Sequence, residues 1–309
     1  MAFNRRYQLS TATGTPSPYG SAPFFSPLYN EGRPVDTRRM CPHCRAFIKS
    51  SDRVCPYCET EVGPRAIDRR PSGELLGGLI PQARFTTTLI LLINFGLYAA
   101  TALASLRAGF DGALLDIDGR TLFDFGAKYR PAVQLGQWWR LITAGFLHGG
   151  LLHLFMNSWV LFDLGAQVEE IYGASRFLVI YFLATVGGFF ASTWWFAGLS
   201  VGASAGIFGL IGAMIALGVR HPLGAGIRAL YIRWAIYGLL LGLLPGLRVD
   251  NAAHIGGLAT GFAVGYLAGL PETGRTWRER LWRTSAYLCV LLTGVAFLNM
   301  YLWFTTGRG

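Results

Sequence analysis

Ser204 and His254 are the residues in this sequence that point most directly to a chemical reaction. Ser204 lies in the glycine-rich stretch Gly202-Ala203-Ser204-Ala205-Gly206, and His254 lies in an apolar segment further along the chain. A serine hydroxyl becomes a competent nucleophile beside a general base, and neutral imidazole accepts a proton near neutral pH. We find no Asp or Glu in the sequence that is expected to orient His254. The pair therefore predicts acyl transfer by a Ser–His dyad.

Other polar residues are candidates for stabilising the oxyanion that acyl transfer develops. Ser204 is predicted to begin a helix, where backbone N–H groups have no intrahelical partner and the helix dipole is positive. His153 and Asn157 stand four residues apart on one helix face and are expected to add side-chain donors. Phe208, one turn beyond Ser204, is expected to stack on the imidazole. Taken singly, each residue has a plainer interpretation as a packing or hydrogen-bonding residue of a helix core.

The composition indicates a polar, basic head followed by a membrane body. Hydrophobic residues make up 52% of the chain and charged residues 14%, against about 25% charged in an ordinary soluble protein. Residues 1–84 are polar and basic, whereas 85–307 are mostly apolar. The net charge of +10 is attributed to basic segments beside membrane spans. Nucleic acid is not expected as a partner, because aromatic and basic residues do not alternate.

Apolar runs predict seven membrane-spanning helices, since about 20 apolar residues cross a bilayer core. The predicted spans occupy 85–106, 150–168, two spans within 177–219 with a turn near 198–202, 227–247, 251–270 and 284–304. Basic residues then cluster on one side of the membrane, which is the cytoplasm by the positive-inside rule. Spans two, four and six begin on the external side, so His153, Ser204 and His254 are expected at similar depth.

Three stretches of the sequence are similar to motifs of the rhomboid family of intramembrane serine proteases. The first runs from Gln137-Trp138-Trp139-Arg140 through His148 and His153 to Asn157. The second is Gly202-Ala203-Ser204 followed by Ile207-Phe208-Gly209, and the third is Ala253-His254-Ile255-Gly256-Gly257 with Gly261. The resemblance covers about residues 85–270 with the motifs in the family's order and spacing.

The resemblance implies an all-α polytopic membrane protein with a six-helix core and a seventh C-terminal helix, which only some rhomboids have. It implies proteolysis of single-span membrane proteins near the outer face, with Ser204 as nucleophile, His254 as base and no cofactor in catalysis. The family's remaining positions are matched by His153 and Asn157 as the oxyanion pair, Arg140 and Glu169 as supports of the external loop and of span two, and His148 as a structural histidine. One departure is Ala205, where the family usually has glycine.

Four cysteines ahead of the first span predict a small metal-binding head. Cys41-Pro-His-Cys44 and Cys55-Pro-Tyr-Cys58 are two CxxC knuckles separated by ten residues. This spacing is typical of a tetrahedral structural Zn²⁺ site, with iron as the alternative, and it resembles zinc ribbons. A closed four-cysteine site indicates a structural role, and the head is a candidate for binding a protein partner or sensing metal. Cys289, in an apolar span, is interpreted as a packing residue.

These patterns divide the chain into six parts and leave two other functions open. The parts are a disordered cytoplasmic tail (1–36), the zinc-ribbon-like head (37–64), a basic juxtamembrane linker (65–84), the protease core (85–270), a basic cytoplasmic hinge (271–283) and the seventh span (284–304). We predict an inner or plasma membrane protein with its N-terminus in the cytoplasm and its active site open to the external side. The alternatives are a non-proteolytic rhomboid-like protein that binds membrane clients and a channel or transporter with a metal-sensing head. A channel or transporter would be expected to show internal repeats, and none is evident in the sequence.

Overall fold

The computed structural model describes residues 38–41, 43–49, 52–62, 74–75, 80–81, 84–221, 224–244, 249–272 and 276–307. The chain divides into two compact units, Met1–Pro71 and Ser72–Gly309. The predicted tail at 1–36 lies outside the described residues. Within the predicted linker, β3 (Glu74–Leu75) and β4 (Ile80–Pro81) form a short antiparallel pair.

The smaller unit contains the cysteine head. β1 (Arg38–Met40) pairs antiparallel with β2 (Phe47–Lys49). Its small core combines Ile48 and Val62 with the buried cysteines Cys41 and Cys55. A core of this size cannot by itself stabilise a fold of so few residues. A metal held by the four cysteines would supply most of the missing stability.

The larger unit is helical. Its helices are α1 (Phe85–Arg107), α2 (Gly119–Asp124), α3 (Arg130–Gln134), α4 (Arg140–Thr143), α5 (Leu151–Val160), α6 (Ala166–Trp195), α7 (Ser204–Arg220), α8 (Ala225–Leu241), α9 (Asn251–Ala268) and α10 (Trp277–Thr306). One turn of π-helix, Leu161–Gly165, joins α5 to α6. The predicted all-α polytopic fold is confirmed.

Three helical stretches are long and apolar enough to cross a membrane by length and hydropathy alone. They are Phe85–Arg107, the 45-residue stretch Leu151–Trp195 and Trp277–Thr306. The second is interrupted at Gly173, whose φ of 75° and ψ of 156° are not helical, so it comprises two spans. The shorter helices α7, α8 and α9 have 17, 17 and 18 residues. The described part of the chain thus has seven long helical segments where seven spans are predicted.

The centre of this unit is formed by α6, α7 and α9, which pack closely because small residues face one another. A Cβ on Gly265 of α9 would lie 2.7 Å from the backbone Cα of Ala213 in α7. The Tyr172 hydroxyl donates a hydrogen bond to the Ala213 carbonyl oxygen at 2.9 Å. Almost all of α7 is buried, whereas α8 buries only Tyr231 and Ala235. Small-residue packing of this kind allows helix backbones to approach closely in a membrane.

The helix α10 begins at Trp277, before the predicted start of the seventh span at residue 284. The Thr276 hydroxyl accepts a hydrogen bond from the Glu279 N–H at 3.3 Å and caps the helix. The Glu279 carboxylate accepts two bonds from the Arg176 guanidinium at 2.7 and 2.9 Å. Part of the predicted hinge at 271–283 is therefore helical. An apolar run ends at the first charged residues, but a helix extends past them where a cap and an ion pair satisfy its first turn.

Candidate active site and metal centre

Ser204 occupies the first position of α7, at the end of the loop that follows α6. Gly202, two residues before it, has φ of 131°, a conformation that glycine alone adopts without strain. The Gly202 N–H donates a hydrogen bond to the Ala144 carbonyl oxygen at 2.9 Å. The chain thus turns sharply just before the helix, and Ser204 lies where the first backbone N–H groups of α7 lack intrahelical partners.

His254 lies in the first turn of α9 and faces Ser204. Its Nε2 is 2.9 Å from the Ser204 Oγ, and the side chain is 7% exposed. The imidazole lies flat against the Phe208 ring, with centroids 4.2 Å apart and planes at 11°. Among the described residues, the Nδ1 of His254 has no hydrogen-bond partner. With the hydrogen on Nδ1, Nε2 is free to accept the serine proton.

His153 and Asn157 lie on one face of α5 and point toward the turn before Ser204. A Cβ on Gly202 would lie 2.8 Å from the Nε2 of His153 and 3.5 Å from the Nδ2 of Asn157. The amide nitrogen of Asn157 is buried and has no partner among the described residues. Two side-chain donors thus converge beside the start of α7. The structure brings together Ser204, His254, His153 and Asn157 from three separate helices.

Ala205, the residue at which the sequence departs from the rhomboid motif, is fully buried between helices. Its methyl group packs with Ala144, Phe189 and Ala253. The helix α6 makes room for it, because a Cβ on Gly188 would approach the Ala205 Cβ to 2.8 Å. The methyl group therefore occupies the α6–α7–α9 packing interface.

Arg140 and His148 lie on the segment between α3 and α5, and both are fully buried. The Arg140 guanidinium donates to the carbonyl oxygens of Phe123 at 2.6 Å and Ala127 at 3.0 Å, and it lies over the rings of Phe123 and Trp139. His148 contacts His153 edge to face, with ring centroids 5.1 Å apart. Arg140 thus connects the end of α2 with the segment that follows it. His148 supports His153, a candidate oxyanion donor.

Glu169 lies where α6 meets the beginning of α1. Its carboxylate accepts hydrogen bonds from the N–H groups of Thr86 and Thr87, both at 2.9 Å, and from the Thr87 hydroxyl at 2.8 Å. This contact caps the N-terminus of α1, where a negative charge is favoured by the helix dipole. Glu169 therefore has a structural position and is not brought to the active site.

Asp250 is a site residue that the sequence reasoning missed. It caps α9 by accepting from the Ala253 N–H at 3.0 Å, and its other carboxylate oxygen accepts from the Ser192 hydroxyl of α6. The carboxylate thus fixes the helix that carries His254 without contacting the imidazole. The signal was present in the sequence, since an Asp directly before an apolar helix is a preferred N-cap.

The four cysteines of the head lie close enough together to bind a metal ion. Their sulfur atoms all lie within 4.8 Å of one another, with Cys41 to Cys58 at 3.7 Å and Cys44 to Cys55 at 3.6 Å. Four thiolates at the corners of a tetrahedron with metal–sulfur bonds of about 2.3 Å are separated by about 3.8 Å. The donor set and its spacing fit a tetrahedral thiolate site.

The two knuckles share a positive-φ residue and a matching backbone hydrogen bond. Arg45 and Glu59, which follow the second cysteine of each knuckle, have positive φ values of 61° and 54°. Their N–H groups donate to the carbonyl oxygens of Cys41 and Cys55 at 3.0 and 2.9 Å. The Thr60 hydroxyl lies 3.4 Å from the Cys58 Sγ and is its hydrogen-bond partner in the second knuckle.

Comparison with known proteins agrees with the fold. The rhomboid domain model matches residues 135–271. Rhomboid protease GluP of Bacillus subtilis (strain 168) is 36% identical over 200 residues, which cover 61% of this chain and 38% of the relative. Rhomboid-like proteases 1 and 2 of Toxoplasma gondii are each 33% identical, over 70% and 63% of this chain and 78% and 71% of their own lengths.

This chain belongs to the rhomboid family and is an integral membrane protein. It spans well under half of the length of the GluP relative, at 38%. It spans more than two thirds of the two Toxoplasma relatives, at 71% and 78%.

Proposed function

We propose that this protein is an intramembrane serine endopeptidase that cleaves single-span membrane proteins through a Ser204–His254 dyad. The observation that carries the proposal is the 2.9 Å separation between the Ser204 Oγ and the His254 Nε2. Nucleophile and base at hydrogen-bond distance in a buried site are the arrangement that activates a serine. The names of the relatives, which include several rhomboid proteases, support the same class of reaction.

The proposed reaction proceeds in two acyl-transfer steps. His254 Nε2 takes the hydroxyl proton of Ser204 as Oγ bonds to the substrate carbonyl carbon. The carbon–nitrogen bond then breaks, and the amine leaves with the proton from His254. A water molecule, deprotonated by the same imidazole, attacks the acyl-enzyme and releases the acid while Ser204 regains its proton. The Phe208 ring supports the imidazole in the plane that this proton transfer needs.

Donors from two helices are assigned to the oxyanion. The backbone N–H groups at the start of α7 point out of the helix end, and the buried Asn157 Nδ2 lacks another partner among the described residues. His153 is the second side-chain donor, because its Nε2 lies on the same side of Gly202. Preorganised donors of this kind contribute about 10²–10³ in rate each.

The orientation of the protein follows from its basic residues. We place the N-terminal head and the α7–α8 connection in the cytoplasm, by the positive-inside rule. Ser204 and His254 then open toward the external side of an inner or plasma membrane. We further propose that the head binds one structural Zn²⁺ through Cys41, Cys44, Cys55 and Cys58, which fit the metal's preferred tetrahedral thiolate geometry. We also propose that the zinc-bound head binds a protein partner.

The test of the proposal is labelling of the purified protein with a serine-reactive fluorophosphonate, together with cleavage of a single-span reporter in liposomes. We expect wild type to label and cleave, and Ser204→Ala and His254→Ala to do neither. Ser285→Ala in α10 and His221→Ala beyond α7 make the same chemical changes elsewhere and are expected to behave as wild type. Cleavage retained in Ser204→Ala would rule out the dyad.

A further inference from the structure

Lys128 is a fully buried lysine in the segment between α2 and α3. Its exposed fraction is 0%, and the ion pairs among the described residues do not include it. Burial of an unpaired charge is costly unless hydrogen bonds compensate it. A lysine in this position therefore needs a specific set of acceptors.

Those acceptors lie at the end of α6 and in the loop that follows it. The Lys128 Nζ donates to the Phe196 carbonyl oxygen at 2.6 Å and lies 3.5 Å from that of Gly198. It also lies 5.2 Å from the centroid of the Phe196 ring. Carbonyl groups at a helix C-terminus lack intrahelical donors and attract cations. The ammonium group thus caps α6.

The main chain of Lys128 binds the same loop a second time. Its N–H donates to the Ser200 carbonyl oxygen and its carbonyl accepts from the Ser200 N–H, both at 3.0 Å. Arg130 adds a parallel contact, because its Nε donates to the Thr193 carbonyl oxygen at 2.6 Å. The segment around Lys128 therefore binds the α6 end and the loop at several points.

This loop, residues 196–203, leads directly to Ser204. Its sequence from Phe196 to Ala203 contains no charged residue, so the cations that bind it come from outside. Gly202 is fixed by the Ala144 carbonyl at the far end of the loop. The end of the loop next to α6 is fixed by Lys128. Between these two points lie the residues that set the direction in which the first N–H groups of α7 point.

We propose that Lys128 is a positioning residue for the nucleophile, whose ammonium group fixes the 196–203 loop so that Ser204 and the N–H groups beside it keep their geometry. The inference rests on the proposed protease function. A displacement of about 1 Å in such a site reduces the rate severely without preventing substrate binding. Loss of the ammonium should accordingly lower kcat and leave KM nearly unchanged.

The charge of Lys128 is expected to change within a pH range that can be tested. Burial lowers the pKa of Lys128 to about 8, with the nearby Asp250 carboxylate opposing this effect and Arg130 adding to it. The α6 and α7 helices and their loop contribute no charged group between Phe177 and Val219. As the pH rises through about 8, the ammonium becomes an amine. A charge-assisted hydrogen bond is then replaced by one about half as strong.

The experiment compares wild type, Lys128→Met and Lys128→Arg for reporter cleavage in liposomes between pH 6.5 and 10. Lys128→Met should lower kcat at least tenfold at pH 7 with KM within twofold of wild type. Wild type should lose activity as the pH rises through about 8, while Lys128→Arg, which stays charged, should keep its activity to higher pH. The control Arg120→Met removes a charge from α2, just before this segment, at a side chain that is 78% exposed and pairs with Asp124, and it should match wild type.

Hydrogen–deuterium exchange of residues 196–203 provides a readout that does not depend on proteolysis. Exchange in this loop should be at least tenfold faster in Lys128→Met than in wild type at pH 7. If wild type neither labels nor cleaves, the proposed function fails, and the exchange data alone decide whether Lys128 fixes the loop. Unchanged kcat and exchange in Lys128→Met would overturn the inference. If Lys128→Met does not fold, the pH profiles of cleavage decide. The same loss of activity above about pH 8 in wild type and in Lys128→Arg would overturn the inference.

Discussion

The imidazole of His254 is stacked on the ring of Phe208, with ring centroids 4.2 Å apart and an angle of 11° between the planes. Phe208 lies on α7 one turn beyond Ser204, so the same helix carries the candidate nucleophile and the support for its base. The candidate base is thus held by an aromatic surface. The nearby carboxylate of Asp250 binds Ser192 and the N-terminus of α9 instead of the imidazole.

We expect Phe208→Leu to reduce the fluorophosphonate labelling rate about tenfold while the protein stays folded. Aromatic stacking contributes about 0.5–1.5 kcal/mol beyond burial, and about 1.4 kcal/mol corresponds to a factor of ten. Labelling rates and thermal melting measured side by side check this. Phe208→Tyr, which keeps the ring, is the control and should label within threefold of wild type. A wild-type rate in Phe208→Leu would show that the stack does not orient His254.

Replacement of Asn157 by Ala should lower kcat for reporter cleavage about 10²-fold, because one preorganised oxyanion donor is lost. His153→Ala should have an effect of the same order, and the double variant less than the product of the two, since both donors serve one oxygen. The measurement is kcat and KM for the three variants in liposomes. A change confined to KM would place these side chains in substrate binding instead.

Asp250→Ala should reduce both the melting temperature and the labelling rate, whereas Asp250→Asn should retain most of both. Asn is as good an N-cap as Asp, and loss of a cap costs about 1 kcal/mol. The amide can also bond to the Ser192 hydroxyl, which Asp250 contacts. Equal loss in the Asn and Ala variants would mean that the negative charge, rather than the capping geometry, is what α9 requires.

Ala205→Gly is expected to give no gain in cleavage and to destabilise the protein by about 1 kcal/mol. The Ala205 methyl group is fully buried in the α6–α7–α9 interface, where Gly188 leaves space for it. Deletion of a buried methyl costs about that amount through lost packing, and glycine lowers helix propensity. Unfolding in detergent and reporter cleavage test the two statements. A large rise in activity in Ala205→Gly would favour the alternative, in which the natural protein is a non-proteolytic rhomboid-like protein that binds membrane clients.

Metal analysis of the purified protein should give one zinc per chain, and Cys44→Ser should abolish it. Four thiolates are needed for a closed tetrahedral site, so a single replacement opens it. His43→Ala, which changes an exposed residue between two cysteines, is the control and should retain the metal. Labelling of Ser204 should persist in Cys44→Ser. Iron in place of zinc would correct the assignment of the metal and leave the cysteine site intact.

Much of this protein was accessible from the sequence because its strongest signals are local. Apolar runs predicted the spans, since a bilayer imposes a minimum helix length. The CxxC knuckles are likewise visible as short patterns. The residues Ser204, His254, His153 and Asn157 were singled out because polar groups are costly inside a membrane and the topology placed them at one depth.

The tertiary structure decided what depends on contacts between distant segments. The 2.9 Å contact of Ser204 with His254, the space that Gly188 provides for Ala205 and the binding of the 196–203 loop by Lys128 join residues that no local pattern links. The start of α10 at Trp277 likewise depends on the ion pair between Arg176 and Glu279. Hydropathy and spacing report on one segment at a time, whereas hydrogen bonds and close packing are properties of pairs. Only the folded chain brings those pairs together.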